Sequence, residues 1–296
     1  MLDAFGHSQA TAAMFADFGF EGLFVSRLSL DEKTKLQDER KSTFLWEPLS
    51  YLYGSSKQIL THVQYYTYLP PSFISTEHNG ADPIVNSPEY MRFNLDKICA
   101  EFQNYTNTLM KSQQSKKNIA ILMGDDFGGS NQYTAYKQLD AFVDYCNGVQ
   151  KSNMTFAYST PSKYLAALKQ ENLAWSVVRN HDFMPYQMNA NKYWTGYFSS
   201  RPGLKKQVKD YSSLLHSQFK LFARKLLDQK STDEQISKVK EQDYDTEDIL
   251  TVLTHHDAIT GTEFQFVAQD YAYRMAGAFD SSKKTYKQEI RDLINT

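Results

Sequence analysis

The chain has 296 residues, 41% of them apolar and 22% charged, with a formal net charge of −2. That composition supplies a core and excludes a disordered or low-complexity chain. The near-neutral balance gives no electrostatic case for nucleic acid or an anionic membrane, and no run reaches the roughly 18 apolar residues of a membrane span.

The length fits one large domain, or a large domain with a smaller companion. Met1-Leu2 reads as the apolar end of a strand running into the turn Phe5-Gly6-His7-Ser8. A helical stretch follows to Phe18-Gly19, then Leu23-Phe24-Val25 as a buried strand closed by Arg27. Strand end, loop, helix and strand make the βαβ pattern of a parallel α/β sheet, whose ligands sit at the carboxyl ends of strands. Asp3 and Arg27 are both expected at such ends. With no basic leader and no polar, frayed start, the chain reads as beginning inside a domain.

Residues 28–60 read as a loop and helix beside the site, and 58–63 as a strand. From Tyr65 to Pro88 the composition shifts to Pro, Ser, Asn and Gly, the mark of a long surface loop. Tyr90, Phe93, Leu95, Ile98 and Phe102 recur at helical spacing and predict an amphipathic helix over 89–115. Asn118–Gly124 reads as an apolar strand stopping at Asp125-Asp126-Phe127, and Thr155–Ser159 as another, with a helix over 136–149 between them. Pro161 opens a further helix at its first turn. After roughly residue 200 the pattern turns wholly helical, with Leu204, Val208, Tyr211, Leu215, Phe219, Phe222 and Leu226 on one face. Residues 228–245 read as polar linker or frayed helix. The expected architecture is an α/β unit over residues 1–200 and an α-helical bundle over 201–296.

Two cysteines, Cys99 and Cys146, make neither a disulfide framework nor a zinc ribbon. Asn104-Tyr-Thr106 and Asn153-Met-Thr155 are N-glycosylation acceptors if the chain is secreted. Aromatics at 14% suit sugar stacking but suit an aromatic core better. Four places carry chemistry. Asp3 near Phe5 and Arg27 is a carboxylate beside a cation, which also fits a structural ion pair. Gly124-Asp125-Asp126-Phe127 offers paired acids, or a helix cap. Tyr193–Pro202 is dense in aromatics and ends in Arg-Pro, which also fits a packed linker. His255-His256-Asp257 offers imidazole and carboxylate donors of the kind zinc takes, although a His pair is more often structural. Together, two separated carboxylates, a His-His-Asp cluster, an arginine and aromatics are the parts of a glycoside hydrolase site.

The segments LDAFGHS, GDDF, YWTGYFSSRP and HHDAITGT, in this order, resemble the α-mannosidases of glycoside hydrolase family 38, especially the lysosomal type. The likeness runs over roughly residues 2–275. It implies a partial parallel α/β barrel of the glycoside hydrolase/deacetylase kind followed by a helical bundle, and a retaining mannosidase with a catalytic Zn2+. Asp3 matches the nucleophile, which is also a zinc ligand; Asp126 matches the general acid/base. His256 matches a second zinc ligand. Phe5, Arg27 and Asp257 match residues around the bound mannose. The family's other two zinc ligands belong to a His-x-Asp motif on an earlier strand, upstream of the nucleophile, and this chain is read as having no His-x-Asp, since His181-Asp182 and His256-Asp257 have the wrong spacing.

The implied substrate is a mannose-containing oligosaccharide of the N-glycan type, and the implied parent is lysosomal or secretory. Thr76-Glu77 and Tyr186-Gln187-Met188 depart from the family's residues there. Those departures slightly favour a second reading, a degenerate non-catalytic mannose-binding or interaction module, which the intact Asp3, Asp126, His256 and Asp257 argue against. A third, an unrelated metal-dependent carbohydrate hydrolase or deacetylase, leaves YWTGYFSSRP unaccounted for. A barrel lacking its first strands would expose an unpaired edge, so self-association into a homo-oligomer or poor solubility is expected of the chain alone.

Overall fold

The computed structural model describes residues 1–74, 80–148, 154–227 and 232–295, which form two compact units, Met1–Trp194 and Thr195–Thr296. In the first unit, Ser8 caps helix α1 (Gln9–Asp17) by accepting from the Ala10 amide at 3.2 Å. Gly19, at φ +80°, then turns the chain toward strand β1 (Gly22–Val25). Met1 and Leu2, expected as a strand end, belong to no strand. Their link to β1 is one bond, from the Met1 amino group to Phe24 O at 3.1 Å, and a single bond makes no ladder.

Helix α2 (Leu30–Asp38) leads to strand β2 (Thr43–Glu47), which sequence reasoning missed. Four of its five residues are buried, so it shows no alternation to mark it as a strand. After the short helix α3 (Ser50–Tyr53) comes β3 (Ile59–Val63), buried at every position because β1 and β2 flank it. The sheet runs in the order β1-β3-β2-β4, with β4 at Val177–Arg179. β1–β3 and β2–β4 pair in parallel, while β2–β3 is antiparallel, so the sheet is mixed where a parallel one was expected. Leu23, Val25, Phe44, Trp46, Ile59 and Phe183 fill its core. β5 (Gln187–Asn189) and β6 (Lys192–Tyr193) form a separate two-stranded ribbon.

A second core lies between α4 (Leu95–Lys111) and α5 (Gln132–Gly148). α4 starts later than its periodicity suggests because Asn94 is occupied just ahead of it. The Asn94 side chain accepts from the Val85 amide at 2.9 Å and donates to Pro83 O at 3.0 Å. The expected strands at 118–124 and 155–159 join no ladder. Their apolar residues Ile121, Met123 and Phe156 pack against this second core instead. The Asn147 side-chain amide brackets both backbone groups of Phe156, at 2.7 and 2.9 Å, in place of a neighbouring strand. Cys99 on α4 and Cys146 on α5 form a disulfide, a pairing that the bare cysteine count did not signal. Helix α6 (Pro161–Gln170) starts as expected, with Pro161 in its first turn and the Thr160 hydroxyl capping the Lys163 amide. Thr76-Glu77 and the acceptor Asn153 lie outside the described residues.

The second unit opens with a short 3-10 turn at Gly196–Phe198, followed by α7 (Pro202–Leu227), α8 (Asp233–Leu253) and α9 (Gln265–Ile294). Leu204, Val208, Tyr211 and Leu215 of α7 are buried against Leu253 and Met275, as their spacing predicts. The stripe fades beyond Phe219, and Leu226 is exposed. The stretch read as polar linker belongs from Asp233 onward to α8. Its tie to α7 includes the Tyr211 hydroxyl, which donates to Thr246 O at 2.8 Å.

Candidate active site

Asp3 lies on the loop ahead of α1, and Arg27 two residues past the end of β1. The two form an ion pair. Three aromatic rings surround the Arg27 guanidinium: Phe5 at 5.4 Å, Tyr186 at 5.6 Å and Trp194 at 5.2 Å. Phe5 and Trp194 meet edge to face at 4.9 Å, as do Tyr186 and Trp194 at 5.2 Å. Guanidinium over aromatic faces is attractive, and more so away from water. Burial pulls the Arg27 pKa down, but Asp3, Tyr68 and Tyr186 together hold it above the ordinary arginine value. Arg27 is thus a fixed positive charge. Phe5 is buried, so it walls the site and steadies Arg27.

Tyr68 is the residue that sequence reasoning missed. It sits in the stretch read as a surface loop, where one more tyrosine carries no signal. Its hydroxyl donates to Asp126 Oδ1 at 2.7 Å and hydrogen-bonds the Arg27 side chain. An arginine has only donors, so the tyrosine oxygen accepts from Arg27 while its proton goes to Asp126. The phenol pKa is pushed up to about 12, first by burial and then by the Asp126 hydrogen bond and the Asp3 charge. One network therefore runs Asp3–Arg27–Tyr68–Asp126 and joins the two carboxylates.

The local backbone separates the two acids of GDDF. Asp125 turns inward on its own loop: its Oδ1 accepts from the Asp126 amide at 2.8 Å and its carbonyl from the Gly128 amide at 3.0 Å. Asp126 is the exposed acid, left to face outward with Tyr68 as its partner. Gly124 enables this placement. Its amide donates to Tyr68 O at 2.9 Å, and a Cβ there would stand 3.0 Å from that same oxygen. Lys33 of α2 braces the neighbouring strand ends, donating to Ser26 O at 3.2 Å and to Tyr66 O at 2.5 Å. Its burial lowers its pKa to about 8.

His255, His256 and Asp257 lie in the second unit, on the turn between α8 and α9. One ligand atom from each falls within 4.8 Å of the others. The His255 and His256 rings are 4.2 Å apart, and His255 Nε2 is 3.7 Å from Asp257 Oδ2. His255 and Asp257 themselves stand at His-x-Asp spacing, which a reading centred on His256 overlooked. The two long motifs converge here. Arg201 of YWTGYFSSRP donates to Gly261 O at 3.2 Å, Glu263 O at 3.0 Å and Gln265 Oε1 at 2.7 Å. Lys205 caps Ser200, Ile259 and Thr260 carbonyls from one ammonium. Gly261, at φ +70°, packs so closely that a Cβ would come within 2.7 Å of Ser200 O. Arg201 and Lys205 therefore fix the turn that carries His256 and Asp257.

Residues 1–189 match the Glycosyl hydrolases family 38 N-terminal domain, and residues 192–293 the Alpha mannosidase middle domain. The chain belongs to glycoside hydrolase family 38. Among its relatives, an alpha-mannosidase of Arabidopsis thaliana is 35% identical over 99% of this chain and 28% of its own length. The lysosomal alpha-mannosidases of Cavia porcellus and Homo sapiens are 32% and 31% identical, each over 94% of this chain and 27% of their own. The chain thus spans just over a quarter of the length of the curated relatives it matches. An alpha-mannosidase structure from Enterococcus faecalis V583 covers the whole chain at a TM-score of 0.69 with 16% identity, and 29% of that chain is covered in return.

Proposed function

We propose that the chain is part of a retaining, zinc-dependent α-mannosidase that removes terminal α-linked mannose from N-glycan-type oligosaccharides. The observation that carries this is the Asp3–Arg27–Tyr68–Asp126 network, which couples two carboxylates far apart in sequence. Asp3 attacks the anomeric carbon, with Arg27 holding its charge and orientation. Asp126 first protonates the leaving oxygen and then takes a proton from the water that releases the sugar. Tyr68 keeps Asp126 aimed at that oxygen. Asp257 binds sugar hydroxyls, and the Phe5, Tyr186 and Trp194 rings hold the Arg27 guanidinium of the ion pair in place.

The donor set of the second unit suits zinc: two imidazoles and a carboxylate with ligand atoms within 4.8 Å. His256 is the residue of that set that would hold it. When bound, zinc supplies Lewis-acid anchoring of adjacent sugar hydroxyls. The relatives named lysosomal, together with the Cys99–Cys146 disulfide, support a lysosomal or secretory parent. The non-catalytic reading loses ground at Gln187. That side chain is buried and accepts from the Ser29 hydroxyl at 2.9 Å, a structural role that needs no sugar.

The test uses the full-length protein with an aryl α-mannoside. Asp3→Asn should abolish turnover while binding of the substrate persists, and NMR of the first-formed sugar should show retained anomeric configuration. Inverted product, or undiminished turnover by the variant, overturns the assignment.

A further inference from the structure

We infer that Asn104 carries an N-linked glycan, and that it is attached before α4 docks onto the second core. Lys97, Ala100, Asn104, Asn107 and Lys111 step along the exposed side of α4. Leu95, Ile98, Cys99, Phe102, Thr106 and Leu109 are its buried side. Residues i and i+2 of a helix do not face each other. So the finished helix splits the acceptor tripeptide: Asn104 points to solvent, while Thr106 is buried and its hydroxyl donates to Phe102 O. A transferase reading the Asn amide together with the hydroxyl two residues on finds both only on an undocked segment. The helix is then locked by the disulfide from Cys99, five positions before the acceptor, to Cys146. That bond needs an oxidising compartment, which is where glycan transfer occurs.

The co-substrate is a lipid-pyrophosphate-linked oligosaccharide. Asn104 Nδ2 forms a bond to the anomeric carbon of its first sugar, and the bond from that carbon to the pyrophosphate oxygen breaks. The pyrophosphate leaves with the electron pair, and one amide proton passes to a base of the transferase. Once attached, the glycan stands on a solvent face and leaves the packing of α4 intact. Docking and modification therefore compete: every α4 that closes first withholds Thr106.

The inference rests on the secretory part of the reading above, and the experiment separates the two. The full-length protein is expressed in a eukaryotic secretory host. Glycopeptides are mapped by amidase release in heavy-oxygen water, and the state of Cys99 and Cys146 is read by thiol alkylation. The expected result is labelled aspartate at position 104, absent from Asn104→Gln. The unoccupied fraction should fall severalfold in pulse-labelled Cys99→Ser, where docking is not locked; that readout reports on the nascent chain whether or not the variant later folds. A bare Asn104 beside a formed disulfide overturns the inference alone, as does a sizeable unoccupied fraction unmoved by Cys99→Ser. Reduced cysteines with no acceptor occupied overturn the secretory reading and the inference together.

Discussion

Tyr68 donates its hydroxyl to Asp126 Oδ1 at 2.7 Å while the same oxygen serves Arg27, the partner of Asp3. A single phenol thus stands between the two carboxylates assigned opposite tasks. Removing it leaves both acids in place but unlinks them. Tyr68→Phe in the full-length enzyme should lower kcat about tenfold to a hundredfold with little change in KM, the worth of a hydrogen bond to a charged group. Steady-state kinetics on an aryl α-mannoside decides it; an unchanged kcat would show Tyr68 to be scaffolding only.

Gly124→Ala approaches the same link from the backbone. The added Cβ would stand 3.0 Å from Tyr68 O, a contact the segment can relieve only by moving away. The Gly124 amide bond to that oxygen stretches with it. We expect a loss of about 1–3 kcal/mol in stability, typical of overpacking against a rigid neighbour, with activity falling more than the melting temperature alone explains. A variant with unchanged melting and unchanged kcat would mean that the 118–126 segment is free to shift.

The turn bearing His256 offers a sharper case. Gly261 has φ +70°, and a Cβ would lie 2.7 Å from Ser200 O, so Gly261→Ala meets both backbone strain and a clash. Arg201 makes three hydrogen bonds to the same turn from one planar fork. Arg201→Lys keeps the charge but cannot keep three such bonds. Both variants should melt at lower temperature, and zinc content per full-length molecule should fall in both, read by elemental analysis. Full zinc loading in a destabilised Gly261→Ala protein would separate the turn's fold from its metal role.

How much of this was legible in the sequence varies with the kind of signal. α7 was readable because Leu204, Val208, Tyr211 and Leu215 repeat at helical spacing and bury one face. β2 was not, because Thr43–Glu47 is buried on both sides and alternates nothing. The segments at 118–124 and 155–159 are as apolar as strands, but a run of apolar residues reports burial, not pairing. Asp3, Arg27 and Asp126 were read as candidate site residues from motifs, and the first unit links these three through Tyr68. Tyr68 was invisible, since its role comes from a loop returning across the sheet's end and no local pattern encodes that return.

The disulfide from Cys99 to Cys146 joins the two helices that flank the Asp126 segment and closes a loop of 47 residues. Chain entropy for a loop of that length gives about 4 kcal/mol of stabilisation at most, with about 2–4 typical. The paired variant Cys99→Ser, Cys146→Ser should lose about that much in denaturant unfolding. Reductant should lower the wild-type midpoint toward the variant's and leave the variant's own midpoint alone. A wild-type midpoint indifferent to reductant would show that the bond is absent in solution.

Two buried histidines set the response to acid. His62 packs among Phe24 and Tyr164 rings with Nδ1 at 2.7 Å from the Thr43 hydroxyl, and burial lowers its pKa to about 4. His7, bridged to Phe183, is lowered to about 3, by burial first and by the nearby amino terminus second. Unfolded histidine titrates near pH 6.5. Below that value the unfolded chain gains protons that the folded chain refuses, so stability falls with pH. The contribution is whole above about 6.5, declines below it, and levels off near about 4 for His62 and about 3 for His7. At pH 5 each histidine should have cost about 2 kcal/mol. Urea midpoints measured from pH 8 to pH 4 should slope downward from about 6.5. His62→Gln, which keeps a hydrogen-bonding group beside Thr43 but cannot titrate, should make that slope shallower. An equal slope in the variant would mean that His62 is already charged in the folded protein.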